Sequence, residues 1–197
     1  KVPFFTIKNY NLIKPALVNT SKKNLRKKYN LPKDSILIGN FNAIYKLKPN
    51  LLDAWVNILK KINNSFFLII CENKLTKKNL IQEITKRRIN SKRFLFLKRV
   101  SFKKHLDRLM DMDLALDNPL MGGGSTLTNS LCVGLPVITF KGFYLGSFSG
   151  ENILVNNQLN NFVAENLNEY QNKAVSILKN KKDLIRAKKK FTIISNK

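Results

Sequence analysis

From about residue 35 onward the chain alternates short apolar runs with longer amphipathic stretches. Ser35-Ile-Leu-Ile-Gly39, Phe66-Phe-Leu-Ile-Ile-Cys71, Phe94-Leu-Phe-Leu97, Asp113-Leu-Ala-Leu-Asp117 and Pro136-Val-Ile-Thr-Phe140 are strand-sized and mostly apolar, the second fully so. They predict buried strands, with a weaker one near Phe162-Val-Ala164. Between the first two, Leu51 to Ile62 puts Leu52, Trp55, Val56, Leu59 and Ile62 on one helical face, with Asn50 as the expected cap. Further helices are expected over Thr76 to Arg88, over Phe102 to Met110 capped by Ser101, over Ser125 to Val133, and at about 168–179 and 181–191. Strands buried on both faces and separated by helices predict an α/β domain with a Rossmann-like, doubly wound parallel sheet. Right-handed crossovers place the loops after each strand along one edge, where such sheets bind ligands.

Residues 1–20 contain Pro3 and Pro15 and no helical period. They read as a linker or tail from an upstream region, which leaves 21–197 as a single domain. Thr20 and Ser21 can cap a short basic helix from Lys22 to Tyr29, ended by Asn30-Leu-Pro32.

Charge complicates this picture. The 197 residues carry 36 Lys and Arg against 12 Asp and Glu, a net charge of +24. Such an excess suggests a polyanionic partner. However, it is mostly Lys, it travels with Asn, Ile and Phe as A/T-rich coding would dictate, and it is spread over nearly every segment. A basic nucleic-acid-binding domain is therefore the weakest of the functional readings. Hydrophobic residues make up 44% of the chain, enough for a core, yet no apolar run approaches the roughly 20 residues of a membrane-spanning helix. Cys71 and Cys132 sit far apart in apolar runs and read as buried thiols in a reducing, cytoplasmic setting.

The densest chemistry lies in Asp117-Asn-Pro-Leu-Met-Gly-Gly-Gly-Ser-Thr126. A strand ends, glycines follow, and Ser125-Thr126 open a helix that stops at Gly134. Glycines such as Gly123 and Gly124 let a backbone approach a ligand closely, and a helix start presents unpaired N–H groups and partial positive charge. This is the plan of a phosphate cradle; the alternative is a plain strand-to-helix connection. Lys46 follows the first strand on the same edge and can reach a phosphate. His105, the only histidine, lies on the helix after Ser101. One His and two distant Cys cannot supply a zinc ligand set. Asp111-Met-Asp113 mimics the Asp-x-Asp of metal-dependent sugar transferases but runs into a buried strand, so Asp111 reads as a helix-end residue.

Taken in order, Asn30-Leu-Pro-Lys-Asp-Ser-Ile-Leu-Ile-Gly-Asn-Phe-Asn42, Tyr45-Lys46, Trp55-Val-Asn-Ile-Leu-Lys60, Val100-Ser101 with His105-Leu106, Asp117-Asn-Pro-Leu120 and Gly134-Leu-Pro-Val-Ile-Thr139 form a colinear set. Glu169-Tyr170 and Ala174 continue it. The set resembles the C-terminal catalytic lobe of the O-linked N-acetylglucosamine transferase family, including its SPINDLY-type and bacterial repeat-linked relatives. The resemblance implies the C-terminal lobe of a GT-B-type, metal-independent glycosyltransferase without a cofactor, using a UDP-sugar as donor. By position it implies Lys46 at the diphosphate as the catalytic, leaving-group-stabilising residue, His105 at the nucleoside, and Ser125 and Thr126 at phosphate. The family's His-Thr-Thr is Gly124-Ser125-Thr126 here, its ribose-binding Asp is Asn129, and a later Arg falls at Phe148. These departures motivate a second reading, a degenerate, non-catalytic binding domain. In the family a facing lobe and a helical-repeat array position the protein acceptor. This chain therefore reads as a partial or excised lobe that binds donor.

Overall fold

Five crossovers carry the chain between parallel strands, and the order in which those strands pair locates the ligand edge. The structure, a computed structural model, describes residues 25–118, 122–143 and 147–195. The expected linker, the Thr20 and Ser21 caps and the start of the basic helix lie outside these residues; α1 is described over Leu25–Lys28. The strands are β1 (Ile36–Asn40), β2 (Ser65–Ile70), β3 (Phe94–Leu97), β4 (Leu114–Leu116), β5 (Val137–Phe140) and β6 (Val163–Ala164). They form one sheet in the order β3-β2-β1-β4-β5-β6, parallel at every pairing. The expected doubly wound sheet is thus present, and its order reverses between β1 and β4.

Helices α2 (Pro49–Lys61), α3 (Lys74–Lys86), α4 (Phe102–Met110), α5 (Gly124–Cys132), α6 (Phe148–Asn156), α7 (Leu167–Lys179) and α8 (Lys181–Ser195) complete the domain. The buried face of α2 is wider than the sequence suggests, since Leu51, Ala54 and Ile58 join Leu52, Trp55, Val56 and Leu59. That helix packs on β2 and alongside α7, which covers β5 and β6, with Trp55 stacked on Phe67 at 4.4 Å. Burying a side chain of this size is worth roughly 1.5–3 kcal/mol.

Several expected details are corrected. Asn50 does not cap α2: the helix begins at Pro49 behind Lys48, because proline's fixed φ and missing N–H suit the first helical position. Ser101 occupies the N-cap position of α4 but makes no side-chain cap hydrogen bond. Helix α5 opens one residue earlier than Ser125, at Gly124. Helix α6 was not anticipated at all; its Gly and Asn residues hide the helical period. At the other end of α5, Gly134 takes φ 70°. Leu135 N then reaches Ser130 O, and Gly134 N reaches Leu131 O, the paired bonds of a Schellman stop.

Asp111 ends α4 as expected and accepts from Leu25 N at 2.9 Å. Two residues on, the carboxylate of Asp113 pairs with both Arg26 and Lys188 and accepts from Leu37 N. This cluster ties α1, β1 and α8 together at the sheet edge opposite the ligand side.

Candidate functional site

At the reversal of strand order, the chains leaving β1 and β4 diverge and open a crevice at their C-terminal ends. Short polar side chains hold it. Asn40 Nδ2 donates to Leu116 O at 2.7 Å, and Asn42 N donates to Asn40 Oδ1 at 3.0 Å. The chain after β1 is thereby curled back over β4. Asn42 Nδ2 then donates to Asp117 Oδ1 at 2.9 Å, Gly123 N to the same oxygen at 3.0 Å, and Thr139 Oγ1 to Asp117 Oδ2 at 2.8 Å. Burial pushes the Asp117 carboxyl above its usual range, and the hydrogen bonds from Thr139, Asn118, Asn42 and Gly123 oppose that. One residue further, Asn118 Nδ2 donates to Lys46 O at 2.8 Å.

The glycine turn is built to this spacing. A Cβ on Gly123 would stand 2.6 Å from Asn42 Oδ1, so a side chain there would break the crevice. Gly123 is buried, Gly124 and Thr126 are half-buried, and Ser125 is exposed. The first N–H groups of α5 have no partner within the helix, and its dipole favours an anion there. Asn129 lies further along α5, half-buried.

On the β1–β3 side the crevice widens into a cavity of about 420 Å³ whose lining includes Phe41, Asn42, Cys71, Arg99, His105 and Arg108. The His105 ring meets Phe41 edge-on at 5.4 Å and 74°. Burial, and then the charge of Arg108, lower its pKa to about 4, so the imidazole is neutral at pH 7. Arg108 is 8% exposed. Its Nη2 donates to Lys98 O at 3.0 Å, while Nη1 has no hydrogen-bond partner among the described residues. Burial pushes the Cys71 thiol up, which makes it a poor nucleophile. The cavity therefore offers aromatic faces, an uncharged imidazole and a spare guanidinium donor, the equipment for a planar heterocycle bearing carbonyl oxygens.

Lys46 is placed differently. It lines a second cavity, about 530 Å³, together with Lys48, Asn118, Phe140, Phe143 and Asn166. The structure thus sets His105 and Lys46 in different cavities, Asn42 lining the first and Asn118, next to Asp117, lining the second. Lys48 is exposed and lines the same cavity as Lys46.

Reading the sequence missed Arg108, Asn42 and Thr139 as site residues and gave Asp117 no role. Arg108 lies one helical turn after His105, a spacing that could have flagged it. Asn42 and Asp117 carry another signal: polar residues directly after apolar strands. Among the described residues no three His, Cys, Asp or Glu side chains cluster as a metal site would require, and no helix is long and apolar enough to cross a membrane.

A parallel sheet reversed at β1 and β4, with a glycine-opened helix and a cavity at the reversal, has the fold of a Rossmann-like lobe of the GT-B glycosyltransferase type. The chain belongs to glycosyl transferase family 41, whose profile matches residues 14–196. It is 26% identical over 181 residues to the probable UDP-N-acetylglucosamine–peptide N-acetylglucosaminyltransferase SEC of Arabidopsis thaliana, covering 91% of this chain and 18% of that protein. The chain thus spans about a fifth of that relative's length. Among solved structures, the Thermobaculum terrenum O-GlcNAc transferase (K341M mutant) superposes with TM-score 0.77 at 22% identity, over 85% of this chain and 34% of its own. Anabaena HepE, solved with UDP and glucose, superposes with TM-score 0.69 at 18% identity, over 92% of this chain and 50% of its own. At these identities the likeness speaks for the fold.

Proposed function

We propose that this chain is the donor-binding lobe of a glycosyltransferase that moves a sugar such as N-acetylglucosamine from UDP to protein hydroxyl groups. The observation that carries the reading is the placing of the His105–Arg108 cavity and the start of α5 on either side of Asn42. The base occupies the cavity against His105, the ribose lies near Asn129, and the diphosphate crosses to Gly123, Gly124, Ser125 and Thr126. Lys46 approaches the diphosphate from the other side and neutralises charge as the sugar–phosphate bond breaks. Fixed donors aimed at a developing negative charge are the main electrostatic contribution in such chemistry, and no metal is needed to supply it. Family membership supports the reaction class, the names of the relatives support UDP-N-acetylglucosamine and a peptide acceptor, and the ligands of HepE support UDP. The two buried cysteines fit a cytoplasmic setting.

Titration calorimetry with UDP, with and without a chelator, tests the proposal. Saturable binding unaffected by the chelator is expected. Absence of binding, or loss on chelation, would count against it. Gly124 in place of an imidazole favours the second reading, a binding domain without transfer. Pairing the lobe with the facing lobe of a family relative and finding UDP binding without acceptor glycosylation would select that reading.

A further inference from the structure

The carboxylate of Asp117 sits between the two segments that must act on one diphosphate. We infer that Asp117 is the positioning residue of the phosphate cradle: its side chain sets the spacing between the loop carrying Lys46 and the first turn of α5. The inference rests on the nucleotide-binding reading above and assigns this residue a role within it.

Three elements meet on this one side chain. Oδ1 receives Asn42 from the chain after β1 and Gly123 from the turn before α5, and Oδ2 receives Thr139 from β5. Glycine backbones wall the carboxylate on both sides. A Cβ on Gly123 would lie 3.1 Å from Oδ1, and one on Gly150 would lie 2.7 Å from Oδ2 and 2.4 Å from Thr139 Oγ1. The first turns of α5 and α6 are therefore packed against the carboxylate. The backbone at this point is pinned from the opposite side, where Tyr170 Oη donates to Asp117 O at 2.9 Å. The next residue, Asn118, holds Lys46 by its carbonyl. Moving the carboxylate would thus move the Lys46 loop and the α5 start relative to each other, although Asp117 itself is 3% exposed.

The geometry also separates hydrogen bonding from charge. In Asp117→Asn, Oδ1 still accepts from Asn42 and Gly123, and Nδ2 can donate to a Thr139 hydroxyl that turns to accept. In Asp117→Ala all three partners lose their anchor. In Asn42→Ala only the β1 side is released.

The experiment compares the full chain with these variants by UDP calorimetry and, without ligand, by amide hydrogen exchange. Asp117→Ala should weaken UDP binding about tenfold or more and speed exchange at Gly123 by a similar factor, with β2 amides unchanged. Asn42→Ala should move both readouts the same way by less. Asp117→Asn should stay within about threefold of the parent, since its hydrogen bonds can be remade. Parental affinity and exchange in Asp117→Ala would overturn the inference. So would equal losses in the Ala and Asn variants, which would assign the effect to charge. If Asp117→Ala fails to fold by circular dichroism, Asn42→Ala decides, and unchanged Gly123 exchange there overturns the inference. If the parent does not bind UDP, the nucleotide reading falls, and the ligand-free exchange rates still decide whether Asp117 anchors the turn.

Discussion

Tyr170 lies fully buried on α7 and donates its hydroxyl to the main-chain carbonyl of Asp117 at 2.9 Å. The Tyr170 hydroxyl oxygen in turn accepts from Trp55 Nε1 at 3.3 Å. Burial holds the phenol's pKa well above its usual value, so the hydroxyl keeps its proton and can serve both partners. A chain of three groups thus runs from the core of α2, through α7, to the end of β4. The Phe140 ring stacks on Tyr170 at 4.3 Å and fixes its orientation.

Tyr170→Phe keeps the ring packing and deletes only the hydroxyl. Trp55 Nε1 and Asp117 O are then left unpaired in the interior, which should cost about 1–3 kcal/mol. Urea denaturation measures this as a lower midpoint at unchanged slope. An unshifted midpoint would show that the chain of hydrogen bonds adds nothing to stability.

Lys46→Ala should weaken UDP binding roughly tenfold or more, the loss of a charge-assisted hydrogen bond to phosphate. Lys48→Ala should do so by less, because Lys48 is exposed and Lys46 is held against Asn118. Calorimetry on the two variants at equal ionic strength checks the order. Equal losses would reduce Lys46 to one contributor among many to a diffuse positive field.

His105 gives a pH signature. Its folded pKa of about 4 lies below the 6.5 of a free imidazole, so the unfolded chain binds the extra proton first. Stability should be intact above pH 6.5 and decline as pH falls toward 4, by about 1–2 kcal/mol after allowing for solvent screening. His105→Gln should flatten that part of the profile. Denaturation midpoints at pH 7 and 4.5 test this, and identical pH slopes in the two proteins would reject it.

Asp113 offers a test far from the ligand edge. Its side chain is 11% exposed and pairs with Arg26 and Lys188. Asp113→Ala removes the acceptor of Leu37 N and the partner of both cations and should cost about 1–3 kcal/mol. Lys188→Met, whose lysine is 39% exposed, should cost under about 1 kcal/mol. Thermal melts rank the two, and UDP affinity in Lys188→Met should match the parent.

Fold class was legible from residue order because a strand buried on both faces must be apolar along its whole length, as Phe66 to Cys71 is. Such periodicity is local, carried by neighbours in the chain. The glycine run before Ser125 was legible for the same reason, and colinear motifs pointed to the family. Helix α6 was not legible, since burial of Gly150 and Leu154 against other elements, and not an apolar period, holds it in place. Nor was the role of Asp117. Its partners Asn42, Gly123 and Thr139 stand 75, 6 and 22 residues away in the chain, and only the pairing of β1 and β5 with β4 brings them to one carboxylate. The depressed pKa of His105 has the same origin: an imidazole on an amphipathic helix is ordinary until Phe41 and Arg108 close around it and water is withdrawn from its charged form.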